Sequence, residues 1–329
     1  MQIRMRSIGL ACLVALLVFV GAGPSLGAET YTFQLAHEMS AGHPYDLGAH
    51  KFDELLREKT GGKAKVEVFP SGQLGTQKDT AEACAMGGLD FAMAMTSILE
   101  KYDPRFEAIS LPFVFRDWDH VFKTVDGEVG EKLNSFIKPK GIVIVAYFLN
   151  GDLHLTSRVP IKGPEDMKGI KLRVQQAKTM IEFGNALGSV VSPMPYGEIF
   201  TALQLGTIDA ECQNLNNVLF DKHYEVAKFI NESTPFYYLE PLLMSRDVLE
   251  SLPEDIQKAV FEAAREAAEW QRQFYLDNVN KEFIPQLKAL GVTFTPSPQE
   301  VWKEALDKAG YYDLFKEHQE LIDAIVAVR

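Results

Sequence analysis

The spacing of apolar positions divides the chain into alternating strand-like and helix-like segments. Residues 31–36 predict a strand, and 47–60 an amphipathic helix stopped at Gly61. In 64–69 the alternation is strict, with Lys65 and Glu67 outward and Val66 and Val68 inward, as in a half-buried strand. Residues 80–86 predict a helix, 90–95 a strand, and 118–137 one continuous helix. Residues 141–148 are apolar almost without interruption, the pattern of a strand covered on both faces in a parallel sheet. Such alternation predicts an α/β architecture.

Two stretches share one plan. Val66-Glu67-Val68-Phe69-Pro70 leads through a polar turn and a helix to Gly88-Leu89-Asp90-Phe91. Val190-Val191-Ser192-Pro193-Met194-Pro195 leads through 198–205 to Gly206-Thr207-Ile208-Asp209. Two lobes of similar construction would leave a cleft between them. Further on, Ser251 and Glu254 have capping-box spacing, with Pro253 in the first turn. Ile256, Val260, Ala263, Ala267, Trp270 and Phe274 then step by four and three along one helix face, which runs to about Phe283. At 1.5 Å per residue this helix is roughly 45 Å long. It is either a core helix of one lobe or a bridge along two.

At the N-terminus, Arg4 and Arg6 precede an apolar run at 8–20, and small residues follow through Ala28. This is the form of an export signal, cleaved near Ala28, and it predicts a periplasmic protein; the run is too short to span a bilayer. The 329 residues leave room for two domains. With 33 basic against 45 acidic residues the net charge is −12, which excludes the basic footprint of a nucleic-acid binder. An anionic ligand would need a local cation. Cys84 and Cys212 lie in apolar or small-residue surroundings and read as buried free thiols. There is no nucleophile elbow, phosphate-cradling glycine loop or His-Glu-x-x-His, so no catalytic residue and no cofactor is expected. His37, His43 and His50 cluster without a cysteine, so no metal is expected; His43, before Pro44, is expected to be solvated and His50 to lie on a helix surface. Residues 170–174 alternate so that Lys171 and Arg173 share a face. Arg173 is then either a solvent-exposed strand arginine or a guanidinium forked around a carboxylate.

Longer motifs decide between these. The stretches Asp166-Met167-Lys168-Gly169-Ile170-Lys171-Leu172-Arg173-Val174, Pro195-Tyr196-Gly197-Glu198-Ile199-Phe200-Thr201-Ala202-Leu203-Gln204 and Tyr224-Glu225-Val226-Ala227-Lys228-Phe229 resemble the extracytoplasmic solute-binding proteins of TRAP transporters, the DctP type. So do Phe69-Pro70-Ser71-Gly72-Gln73-Leu74-Gly75, Gly88-Leu89-Asp90-Phe91, Leu111-Pro112-Phe113 and Gly206-Thr207-Ile208-Asp209, in order along nearly the whole chain. The resemblance implies an α/β, two-lobed periplasmic binding protein (type II-like) with an interlobe cleft, hinge strands and a long helix along both lobes. Residues 1–28 would be the signal peptide, 29–150 plus about 239–278 lobe I, and 151–238 plus about 279–329 lobe II. It implies a small organic acid ligand, TRAP membrane subunits as partners, a monomer, and no chemistry on the ligand. Arg173 falls where the family clamps the ligand carboxylate, Tyr196 where it sets an aromatic against the ligand, and Gln213 where it usually has an asparagine. A periplasmic enzyme using the same cleft and a sensor-associated binding module are the competing readings.

Departures from the family pattern bear on the ligand. After Asn150-Gly151, where dicarboxylate and sialic-acid binders carry a second arginine, stands Leu153. Met95, followed by Thr96, occupies a position of glutamate in the sialic-acid type, and Glu38 that of a pocket asparagine. With one cation, Met95, Leu153, Tyr196 and Phe236 are expected to enclose an apolar or aromatic body, and Glu38 to receive an N–H or hydroxyl. The favoured ligand is therefore a monocarboxylate with an apolar or aromatic tail, such as an aryl or indole acid or an amino acid. The alternative is a C4-dicarboxylate or uronate, with Arg158 or Arg105 replacing the missing arginine.

Overall fold

The computed structural model describes residues 30–329; the expected export segment, 1–28, lies outside the described residues. The first half runs β1 (Tyr31–Ala36), α1 (Pro44–Lys59), β2 (Ala64–Phe69), α2 (Gln77–Ala85), β3 (Phe91–Met93), α3 (Trp118–Val125), α4 (Glu128–Ile137) and β4 (Ile142–Ser157). The second half follows as β5 (Lys171–Val174), α5 (Lys178–Ala186), β6 (Val190–Pro193), α6 (Ile199–Leu205), β7 (Ala210–Gln213), α7 (Leu215–Phe220) and β8 (Phe229–Ser245). The chain ends with α8 (Arg246–Ser251), α9 (Glu254–Asn278), α10 (Ile284–Ala289), β9 (Thr293–Thr295), α11 (Gln299–Lys308) and α12 (Gln319–Ala327).

All strands join one sheet in the order β2-β1-β3-β8-β4-β7-β5-β6, with β9 beside β8. Its two ends are built alike. β1 lies parallel between β2 and β3, and β5 lies parallel between β6 and β7. The repeated sequence plan maps onto these units, and its two aspartates have the same task. Asp90 accepts from the Gln34 amide at 2.8 Å, and Asp209 from the Lys171 amide at 3.1 Å, each fixing the start of the short parallel pairing. Between the units, β4 and β8 pair antiparallel over most of their length and pass from one half to the other. The parallel neighbours expected for 141–148 are thus absent: the continuous apolar run reflects helices on both faces, not strand direction. Register shifts at Ile144/Ala146, Leu149/Gly151 and Leu153/Leu155 bend the crossing pair.

Helix predictions fail where a cap was misread. Residues 118–137 form two helices, because Asp117 caps α3 and Gly127 starts α4 after a break at Asp126. Ser251 is not an N-cap: it ends α8, donating to the Val248 carbonyl, and α9 begins after Pro253. The apolar face of α9 packs Ile256, Val260, Ala263 and Ala267 against α1 and the first half of the sheet. Its last turns carry Tyr275 into a second cluster with Leu149, Leu215 and Ile230, so it does run along both halves. The C-terminal helix α12 returns to the first half, contrary to its expected place with lobe II. There the His120 ring is bonded to the Ile325 carbonyl, and Arg116 donates to those of Val326 and Val328. Cys84 and Cys212 are buried and unpaired. No helix of the described residues is long and apolar enough to cross a membrane.

Candidate ligand-binding site

Parallel strands leave their carboxyl ends facing one crevice, where ligands of open α/β sheets collect. Here the crevice lies between the two units, a void of about 480 Å³ including its mouth. The first half contributes Glu38 and Met39 after β1, Thr76, Gln77 and Lys78 at the start of α2, and Met95 and Ile98 after β3. Asn150 enters from the crossing strand β4. The second half contributes Arg173, Gln175 and Gln176 at the end of β5, Met194, Pro195 and Tyr196 after β6, and Gln213 and Asn217 after β7.

Arg173 dominates the electrostatics. Its side chain is only 3 % exposed, and its Nε and Nη2 both donate to the Met194 carbonyl, at 3.2 and 2.9 Å. Burial pulls its pKa down, against the field of Glu211 and Glu38. Glu211 is already spent: the His223 ring lies 2.7 Å from it, and Gln213 donates to it at 3.3 Å. Among the described residues no carboxylate lies within 4 Å of the Arg173 guanidinium, a costly state for a buried cation. It is not the exposed strand arginine that its alternation allowed.

Around it the wall is held by its own hydrogen bonds. Tyr196 donates to Asp221 at 2.6 Å and stacks on His223, with ring centroids 5.6 Å apart. Gln213 accepts from the Asn214 amide and from Asn217, which leaves its orientation fixed. Desolvation pushes the Glu38 carboxyl up to about 7, although Arg173 and Gln77 pull it down. Behind the wall, Glu240 is 1 % exposed and accepts from Asn150 at 2.8 Å and Tyr45 at 3.2 Å. Asn150 in turn accepts from Asn214. This chain ties α1, β8, β4 and the start of α7 together beneath the cavity. Burial raises the Glu240 carboxyl to about 8.

Of the residues singled out in the sequence, Glu38, Met95, Arg173, Tyr196 and Gln213 come together in the void. Three do not. Leu153 and Phe236 pair across β4 and β8 and are fully buried in the core, Phe236 against Phe183 and Tyr238. Thr96 is 1 % exposed, begins the turn after β3 and does not line the void. The expected apolar enclosure therefore loses two of its four members. Neither substitute arginine lines the void: Arg105 is paired with Asp103 at 2.6 Å, and Arg158 lies 3.9 Å from Asp209. His43, expected in solvent, is wholly buried and bonded to Asn217 at 2.9 Å; burial lowers its pKa to about 4. His50 does lie on the surface of α1, beside Asp46.

Sequence reasoning missed the amides. Gln77, Asn150, Gln175, Gln176 and Asn217 all line the void, as does the exposed Lys78, which has no carboxylate within 4 Å among the described residues. Their common signal is position: each of Gln77, Gln175, Gln176 and Asn217 stands in the few residues after a strand or at the start of a helix.

Residues 35–317 match the DctP family, described as bacterial extracellular solute-binding protein, family 7. The chain is 31% identical, over 92% of both chains, to the 2,3-diketo-L-gulonate-binding periplasmic protein YiaO of Escherichia coli K12. It is 29% identical, over 85% of both, to the C4-dicarboxylate-binding periplasmic protein DctP of Rhodobacter capsulatus. Among solved structures, a TRAP periplasmic solute-binding protein from Polaromonas sp. JS666 bound to D-erythronate superposes with a TM-score of 0.87 at 29% identity, covering 91% of this chain and 99% of that one.

Proposed function

The chain belongs to the DctP family of TRAP solute-binding proteins, and from that premise we propose that it captures a small hydroxylated monocarboxylate in the periplasm and delivers it to TRAP membrane subunits. One observation carries this reading: a buried guanidinium without a carboxylate partner, in the wall of a crevice. A ligand carboxylate completes it with charge-assisted hydrogen bonds in a site shielded from water. Among the described residues Arg173 is the only buried cation of the wall, so one carboxylate is favoured over two; Lys78 is exposed and remains hydrated. The amides of Gln77, Asn150, Gln175, Gln176 and Asn217 suit hydroxyl groups, and with Leu153 and Phe236 in the core the apolar part of the wall is Met39, Met95, Ile98, Met194, Pro195 and Tyr196. This replaces the apolar body expected from the sequence and keeps its single carboxylate. In this reading the protein acts as a carrier, as the solute-binding family it belongs to suggests.

A thermal-shift and calorimetry screen of organic acids tests this. Aldonates and uronates are expected to raise the melting temperature by several degrees, with indole-3-acetate and succinate at least tenfold weaker. Stabilisation by aromatic acids or succinate alone overturns the ligand class and leaves carboxylate capture standing.

In this reading lobe I is 29–150 with about 239–278 and α12, lobe II is the remainder, and closure bends β4 and β8 where they cross. Gly151 lies in that crossing, at a register shift of the pair. Its φ of +130° disfavours any other residue, and a Cβ there would sit 2.8 Å from that of Asn214 and 2.9 Å from the Tyr275 hydroxyl. Gly151→Ala is expected to hold the lobes apart and weaken ligand binding at least tenfold, read by calorimetry. Unchanged affinity would remove Gly151 from the hinge.

A further inference from the structure

Among the described residues, Gln175 is the amide of the wall whose oxygen is buried without a partner. It is 5 % exposed and follows Arg173 by two residues, just past the end of β5. Its Nε2 reaches across the crevice to the Met95 sulfur at 3.7 Å, a weak bond that joins the two halves. Its Oε1 is buried and has no donor among the described residues. A buried carbonyl oxygen without a donor is rare and costly, and elsewhere in this wall the amides of Gln213 and Asn150 have theirs. Facing the same void from the other half, the Glu38 carboxyl is a second oxygen acceptor. Glu38 from one half and Gln175 from the other thus place an oxygen acceptor on either side of the void.

We infer that Gln175 is a specificity-determining residue that takes a ligand hydroxyl on its free Oε1, so that closure over the carboxylate on Arg173 is completed by hydroxy acids and not by the bare acids of the same length. The inference rests on the carboxylate-capture reading and deepens it. A bare carboxylic acid satisfies Arg173 but leaves Oε1 without a donor, and its methylene groups displace any water that could serve instead. A hydroxy acid supplies that donor, and through the same amide it presses on Met95 across the crevice. Selection by an unpaired buried acceptor is far steeper than selection by apolar volume.

The test uses pairs of acids that share a carbon skeleton: D-erythronate with butyrate, and D-gluconate with hexanoate. Calorimetry on the wild-type protein is expected to give a preference of at least 100-fold for the hydroxylated member of one pair. Small-angle scattering is expected to show compaction with that member only. In Gln175→Leu the preference is expected to fall at least tenfold, and Gln175→Met serves where the branched side chain perturbs folding. Gln175→Glu, which keeps an oxygen acceptor, is expected to retain most of the preference. A leucine or methionine variant with a preference within twofold of the wild type overturns the inference, as does equal compaction with butyrate or hexanoate. Binding of succinate with no binding of either aldonate overturns it too, while leaving carboxylate capture intact. Failure of every acid to bind overturns both.

Discussion

Arg173→Ala is expected to lower carboxylate affinity by about 100- to 1,000-fold, equivalent to about 3–4 kcal/mol, while leaving the free protein folded. The size follows from what the ligand loses: a charge-assisted pair in a cavity from which water is excluded. The unchanged fold follows from what the free protein does not lose. Arg173 makes no ion pair among the described residues, and its two bonds to the Met194 carbonyl are offset by the cost of holding a guanidinium at 3 % exposure. The melting temperature of the unliganded variant should therefore equal or exceed that of the wild type. Arg173→Lys keeps the charge but not the planar fork, and should recover only part of the affinity. Near-native affinity of the alanine variant by calorimetry would sink the assignment of this residue.

The second large effect is on stability. Glu240 has its carboxyl raised to about 8, chiefly by burial, against about 4.5 when unfolded. The folded protein holds this proton more tightly than the unfolded chain. Stability from this group is therefore full below pH 4.5 and is lost as pH rises towards 8, at up to about 1.4 kcal/mol per pH unit. Glu100, raised to about 7 by burial, adds to the same slope. His43 works from the other side: held neutral by burial with a pKa of about 4, it costs stability as pH falls below 6.5. Because the two carboxyls together lose more per pH unit than His43 gains, these groups place maximal stability below about pH 5, with a fall above it. Glu240→Gln, which can keep a bond to Asn150, should match the wild type at pH 5 and exceed it at pH 8 by on the order of 3 kcal/mol. Urea unfolding at the two pH values measures this; parallel stabilities for wild type and variant would show that Glu240 is ionised in the folded protein.

What could be read from the sequence follows from how local each signal is. Gly88-Leu89-Asp90 and Gly206-Thr207-Ile208-Asp209 were legible because each aspartate caps its own parallel unit, a short-range device repeated in the chain. Arg173 was legible as a candidate through its strand alternation and its motif. The direction of β4 was not, because a strand covered on both faces is apolar whether its neighbours run parallel or antiparallel. Leu153 and Phe236 were misplaced for a related reason. On a strand that crosses from one half to the other, bulges shift which face looks into the crevice, so counting from Asn150-Gly151 does not give the wall. Gln175 carries no pattern at all: an amide after a strand is ordinary, and only its unused oxygen in three dimensions marks it.

The place of β8 in the sheet also sets the order in which the protein can be built. β3 reaches β4 only through β8, with Phe91 paired to Met244 and Val143 paired to the same residue from the other side. The helix that covers this part of the sheet, α9, comes later still. A growing chain that has released β1 to β4 therefore has neither the strand that joins them nor the helix that buries their outer face. Contacts this distant in sequence make collapse into the native sheet slow and late. Among the described residues, β1 to β4 therefore gain the strand that joins them and the helix that covers them only once Ser245 and α9 have been made.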